Sequence, residues 1–305
     1  MSVRTRFDAV EERINESLPR RLKIGAGVLY LHTSAGSDHL DALADRPVWD
    51  RWHDLSIGLL LACQVAVLGV VLAGAWIALQ QPEPTAMNAP ENAIAIPGVN
   101  AFMPLAAAPY VIGALVIATV VHELGHAIAC RREGVPLREV GVALLFGVVP
   151  LAAYVLPGEE LDDASRQARL RVFAAGVANN LVVTVAALAV LLAPFTGTAT
   201  GAYTLYFGWA LIGGAPPTAG SIAALGAATN LAFWTAFLSA NFGLLNALPV
   251  AVLDGGRVLS LVLEEGGERI GRPLSAWRRQ VVVHVAGVVA VLAVAVAILG
   301  PHLRV

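Results

Sequence analysis

The sequence predicts an all-α polytopic membrane protein: about five transmembrane helices plus one short re-entrant, β-like segment. Three observations carry that prediction. Of 305 residues, 57% are hydrophobic and only 14% are charged, with a mean hydropathy of +0.70. Water-soluble domains carry roughly a quarter charged residues, so lipid is the expected solvent. The apolar residues gather into stretches near the ~20 residues that cross a bilayer, and the basic residues sit only on alternate connections between them. A net charge of -2 gives no sign of nucleic-acid binding.

Residues 1–54 are polar, with Arg4, Arg6, Arg13, Arg20, Arg21 and Lys23 among acidic partners. A cleavable signal peptide would begin its apolar run almost at once, so none is expected here. Phe7, Val10, Ile14 and Leu18 recur at helical spacing and predict an amphipathic helix, lying on the membrane surface or solvated. Residues 55–79 form the first apolar run and read as an uncleaved anchor. Further spans are expected at 105–130, 172–193, 228–249 and 281–300. Residues 140–156 are also apolar but are interrupted by Gly147 and Pro150, too broken for an ordinary spanning helix. A re-entrant hairpin is expected, because irregular backbone survives at membrane depth only against protein or a wet cavity.

Charge placement supports this map. Connections 80–104 and 194–227 contain no Lys or Arg, whereas Arg131, Arg132, Arg138, Arg166, Arg169, Arg171, Arg257, Arg269, Arg272, Arg278 and Arg279 fall on the other face. By the positive-inside rule that face is cytoplasmic. The expected organisation is a cytoplasmic segment 1–54, an anchor 55–79, a core 105–264, a cytoplasmic loop 265–280 and a last span 281–300. Pro82, Pro84, Pro90 and Pro97 make the first outer loop irregular. Cys63 and Cys130 lie in apolar segments and read as small buried side chains.

The chemistry lies in the second span, in His122-Glu123-Leu124-Gly125-His126. On a helix the two histidines are one turn apart on one face, so both imidazoles can bind one metal ion, with Glu123 beside them to take a proton from water. Zinc suits the set, because three protein ligands leave one tetrahedral position open. Each ionisable side chain in hydrocarbon costs about 3 kcal/mol, and three lie within this segment, which argues for function. Two histidines make a weak site, and Asp254 is the best third ligand near membrane depth. Pro249 would break the preceding helix, and Gly255 and Gly256 would permit an unusual turn that aims the carboxylate back at the histidines. Cys130, one turn beyond His126, and His284 read as structural. His32, His39 and His53 lack ligand spacing.

The motif of His122 to His126, followed by Asn246-x-x-Pro249-x-x-x-Leu253-Asp254-Gly255, resembles the site-2 protease family of intramembrane zinc metalloproteases. The likeness extends through Ala175-Gly176-Val177-Ala178-Asn179-Asn180, similar to that family's Ala-Gly-x-x-x-Asn motif. It also takes in residues 140–154, where the family places a membrane-inserted β-like loop, and covers roughly 105–264. It implies His122, His126 and Asp254 as ligands of one zinc ion and Glu123 as catalytic base. Asn180 and Asn246 are implied as substrate-binding or oxyanion support, interhelical hydrogen bonding being the other reading of both.

Val177 replaces the usual proline after the motif's glycine, which implies altered local helix geometry without lost chemistry. Neither the PDZ nor the cystathionine-β-synthase-type domain that many members carry is expected within these residues. The implied activity is hydrolysis of peptide bonds in or near transmembrane segments of membrane-tethered proteins, as in regulated intramembrane proteolysis. Two alternatives are a CAAX-type membrane metalloprotease, with Glu264 or Glu265 as third ligand, and a non-enzymatic zinc transporter or scaffold. The implied location is the cell membrane, with the active site toward the cytoplasmic side.

Overall fold

The computed structural model describes residues 15, 17–19, 21–25, 28–33, 37–145, 149–192, 199–212 and 214–304. The amphipathic helix expected along Phe7, Val10 and Ile14 lies outside them. In chain order the elements are β1 (Leu22–Gly25), β2 (Val28–Thr33), α1 (Ser37–Ala44), α2 (Val48–Ala78), α3 (Ala108–Arg132), β3 (Leu137–Leu145) and β4 (Val149–Pro157). There follow α4 (Glu160–Asp163), α5 (Arg166–Leu192), α6 (Ala199–Tyr203), α7 (Trp209–Ile212), α8 (Ala219–Leu225), α9 (Ala227–Asn246), α10 (Asp254–Arg269) and α11 (Ala276–Leu299).

Among the described residues, four helical segments are long and apolar enough to cross a membrane: Val48–Ala78, Leu105–Arg132, Arg166–Leu192 and Ala276–Leu303. A fifth span results if α8 and α9, bent by 96°, count as one. The protein is therefore a mostly helical multi-pass membrane protein, as the composition requires. Helix α9 needs its partner to qualify because it carries Thr229, Asn230, Thr235 and Ser239, all buried. It packs between α3 and α5, where those polar groups meet protein and not lipid. At the crossing of α3 and α5 a Cβ on Gly125 would stand 2.8 Å from the Ala175 carbonyl oxygen, so glycine lets the two backbones touch.

The broken apolar segment is a hairpin, β3–β4, packed on α3. It belongs to a four-stranded antiparallel sheet in the order β1-β2-β3-β4, so the polar N-terminal segment contributes two strands that its charge pattern did not suggest. Strand β2 pairs with β3 from Val28 opposite Leu145 to Thr33 opposite Val140, leaving β4 as an outer edge. Helix α2 starts at Val48, earlier than the apolar run, because its first turns are anchored by ion pairs to the core. Asp50 accepts from Arg132 at 2.8 and 2.7 Å, and Asp54 accepts from Arg171 at 2.8 Å. The segment expected as a loop, 265–280, is mostly helical, since α10 runs to Arg269 and α11 starts at Ala276. Helix α5 passes unbroken through the buried Val177.

Candidate metal centre

Helix α3 presents His122 and His126 one turn apart toward α5. Their Nε2 atoms are 3.1 Å apart. Asp254, the first residue of α10, brings Oδ2 to 3.2 Å from His122 Nε2 and 3.3 Å from His126 Nε2. A tetrahedral zinc ion with bonds of about 2.0–2.1 Å separates its ligand atoms by about 3.3–3.4 Å, so the triangle has the size that ion requires.

Proton positions make the case sharper. His126 Nδ1 lies 2.7 Å from the Val172 carbonyl oxygen, which can only accept, so Nδ1 carries the proton. His122 Nδ1 lies 2.6 Å from Asn180 Oδ1. That amide's orientation is fixed from its other end, where Nδ2 donates to the Ala118 carbonyl at 3.0 Å and to Ser239 Oγ at 2.9 Å. Both imidazoles in their neutral form therefore turn bare Nε2 lone pairs toward each other and toward a carboxylate oxygen. Asp254 Oδ2 is buried without a hydrogen-bond donor. Three converging lone pairs repel unless a cation sits among them, and outer hydrogen bonds of this kind are what orient histidine ligands on a metal. The residues present fit a zinc ion.

The acceptors that orient the histidines share one face of α5. Val172, Gly176 and Asn180 are spaced four apart, so the glycine lies between the two acceptors and opposite the imidazoles. A Cβ on Gly176 would stand 2.5 Å from His126 Nε2 and 2.7 Å from His122 Nε2.

Asp254 is positioned by a backbone device. Pro249 follows the end of α9 as expected, and the chain returns through Ala247–Leu253 to start α10. Gly255 and Gly256 are ordinary helical residues here, not an unusual turn. Their role is close approach, since a Cβ on either would overlap the carbonyls of Ala247 or Val250. Two carbonyls at this junction, those of Ala247 and Gly255, are satisfied by Gln64 Nε2 of α2 at 3.0 and 2.9 Å.

Glu123 lies on the same helix, and its carboxylate is within 4.8 Å of the histidine ligand atoms. One of its oxygens accepts the Val155 N–H of β4 at 2.8 Å. Asp254 Oδ2 stands within 3.3 Å of both Nε2 atoms, and Glu123 lies beside that triangle. His122, Glu123, His126, Asp254, Asn246 and Arg257 line one cavity of about 190 Å³. Asn246 keeps one N–H on the Phe242 carbonyl at 3.0 Å.

Other sequence candidates lie apart from this cavity. Glu264 is paired with Arg166 and Arg279, and Glu265 with Arg269. Cys130 is buried against Val172 and Ala175, and His284 Nδ1 is hydrogen-bonded to the Gln280 carbonyl. His53 is buried and stacks on Trp49, and His32 lies in β2 opposite Gly141. His39 is an exposed residue of α1. Sequence reasoning missed Gln64, Val155 and Ser239. A lone amide in an apolar span was a usable signal for Gln64, but the backbone groups have none.

The description "Peptidase family M50" belongs to the family model that matches residues 110–294, more than half of the chain. "Uncharacterized protein MJ0971" of Methanocaldococcus jannaschii is 25% identical over 182 residues, covering 57% of this chain and 46% of that protein. "Putative zinc metalloprotease Rip3" of Mycobacterium tuberculosis, in strains Erdman and H37Rv, is 30% identical over 151 residues, covering 49% of this chain and 30% of that protein. The matched part is thus less than half the length of these relatives. No solved structure matches the chain.

Proposed function

The chain belongs to peptidase family M50, and on that footing we propose that it is an intramembrane zinc endopeptidase. Its substrates are membrane-tethered proteins, cut in or beside a transmembrane segment in regulated intramembrane proteolysis. The observation that carries the reading is the triangle of three bare lone pairs on His122, His126 and Asp254, closed on a single point. These three residues hold one zinc ion, which when bound supplies Lewis-acid polarisation of the scissile carbonyl and lowers the pKa of water to about 7.

Glu123 is the general base, and afterwards the acid that returns the proton to the leaving amine. The Val155 N–H holds one carboxylate oxygen, which fixes the group beside the cavity. Asn180 orients His122; its amide hydrogens are committed to Ala118 and Ser239, which removes it as an oxyanion donor. Asn246 lines the cavity with one N–H uncommitted and takes that part.

A helical substrate hides its carbonyls in hydrogen bonds, so it must unwind before it is cut. The outer edge of β4, where Val155 already donates to Glu123, receives the unwound strand through its remaining outward groups by β-augmentation. Because Val155 turns its N–H outward, the alternation of an antiparallel strand turns that of Ala153 outward too. The N-terminal segment and the site face the cytoplasm of a cell membrane, a reading that the basic connections support.

The test compares purified wild type with Glu123→Gln and Asp254→Ala, measuring bound zinc and cleavage of a transmembrane substrate found by membrane proteomics. Glu123→Gln should keep zinc and lose cleavage, whereas Asp254→Ala should lose both. Unchanged zinc in Asp254→Ala with loss in Glu264→Ala would favour the CAAX-type arrangement. Zinc flux into liposomes that persists in Glu123→Gln, with no cleavage by wild type, would replace the reading with a transporter.

A further inference from the structure

A second cavity of about 550 Å³ adjoins the metal cavity, with Pro157, Phe173 and Arg257 in both linings. Its walls come from the end of β4, the first turns of α5 and α10, and the start of α11, all at the arginine-rich end of the helices. The arginines at this end differ in their partners, and Arg272 and Arg278 are exposed outside the cleft. Arg138, Arg166, Arg171, Arg269 and Arg279 are all paired with carboxylates. Arg169 and Arg257 line the cleft, and neither guanidinium has a carboxylate or hydrogen-bond partner among the described residues. Arg257 is held over the Phe173 ring, 5.0 Å from its centroid, which fixes it at the junction of the two cavities. Two acidic residues also line the cleft: Glu159, already paired with Arg138, and Asp162, which is exposed.

A peptide lying along β4 and past the metal triangle continues into this cleft. Unpaired guanidiniums offer forked donors that match carboxylates. We propose that the cleft binds the polar flank of the substrate, next to its membrane segment, and selects flanks that carry aspartate or glutamate. Arg257 and Arg169 are the residues that read it. This selectivity rests on the protease reading above and adds to it a substrate class.

The test uses labelled synthetic peptides with one apolar 20-residue segment and three different flanks: acidic, uncharged Ser-Gly, and lysine-rich. Their binding to the zinc-loaded Glu123→Gln protein in detergent is read by fluorescence anisotropy, and their cleavage by wild type is followed separately. The acidic flank should bind about tenfold more tightly than the uncharged one, with the margin shrinking as salt rises. The double variant Arg169→Gln, Arg257→Gln should erase that margin, and Arg169→Gln alone, at a residue that lines the cleft but not the metal cavity, should narrow it at unchanged zinc content and unchanged affinity for the uncharged flank. Replacing both by glutamate should shift the preference to the lysine flank. Equal affinity for all three flanks, or an acidic preference that survives in the double variant, would overturn the inference. Cleavage that depends on Glu123 but ignores the flank would sink this inference alone. Cleavage by Glu123→Gln at the wild-type rate would sink the protease reading and leave the binding comparison standing.

Discussion

Replacing Gly176 by alanine is the most direct test of the metal centre, because the usual expectation has the opposite sign. Alanine in the middle of a helix is ordinarily better than glycine by roughly 0.5–1 kcal/mol. Here the added Cβ would stand 2.5 Å from His126 Nε2 and 2.7 Å from His122 Nε2, against about 3.4 Å for ordinary contact. One side must therefore move by about 0.7–0.9 Å. The imidazoles cannot swing aside without losing the hydrogen bonds from their Nδ1 atoms, and both acceptors, Val172 and Asn180, lie on α5 beside the glycine.

If α5 retreats instead, it carries those acceptors with it. A metal site tolerates ligand displacements of about 0.2 Å, and losing an orienting partner costs about 10–100-fold in metal affinity. Overpacking of this kind costs about 1–3 kcal/mol, which outweighs the helix-propensity gain. Zinc retained by the purified variant across a series of chelator concentrations should fall at least about tenfold, with a lowered Tm. Gly58→Ala and Gly69→Ala, where nothing lies within 4 Å of the new Cβ, should be neutral or mildly stabilising. Wild-type zinc affinity in Gly176→Ala would refute the arrangement of α3 and α5 described above.

Asn180→Ala should lower zinc affinity about 10–100-fold in the same chelator titration, with His122 left free to rotate. Gln64→Leu should leave the Ala247 carbonyl unmet, about 1–3 kcal/mol, and free the bend before Asp254, so both Tm and zinc retention should fall. Ala153→Pro removes an N–H from the exposed edge of β4 and none from its pairing with β3. It should slow substrate cleavage severalfold at unchanged zinc content and Tm, as a strand-addition step requires. If zinc is held by the proposed triangle, which exists only in the folded chain, chelation of wild type should lower Tm and re-addition of zinc should restore it.

The spans, the broken hairpin and the helical histidine pair were legible in the sequence because each leaves a local pattern. An apolar run long enough to cross, an apolar run broken by Gly147 and Pro150, and a spacing of four are all visible without a partner. Asp254 could be proposed as the third ligand because few carboxylates lie near membrane depth. What could not be read was how it gets there: Gly255 and Gly256 read as turn residues, yet serve as small residues where two backbones touch. Strands β1 and β2 were hidden because short segments pair only when β3 offers an edge. Residues 265–280 read as a loop from their charges, although Glu265, Glu268 and Arg269 belong to the end of α10 and Arg278 and Arg279 to the first turn of α11. The carbonyl of Val172 and the N–H of Val155 belong to the backbone, which has no sequence signature at all.

The family match begins at residue 110, whereas Gln64 sits in the preceding helix. A minimal fragment trimmed to the recognisable region would keep every acidic and imidazole group of the triangle and still lose the amide that seals the bend before Asp254. In hydrocarbon the Ala247 carbonyl would seek another donor, and the loop would drift. The leading helix is therefore part of the scaffold of the centre, so a working truncation has to begin upstream of it.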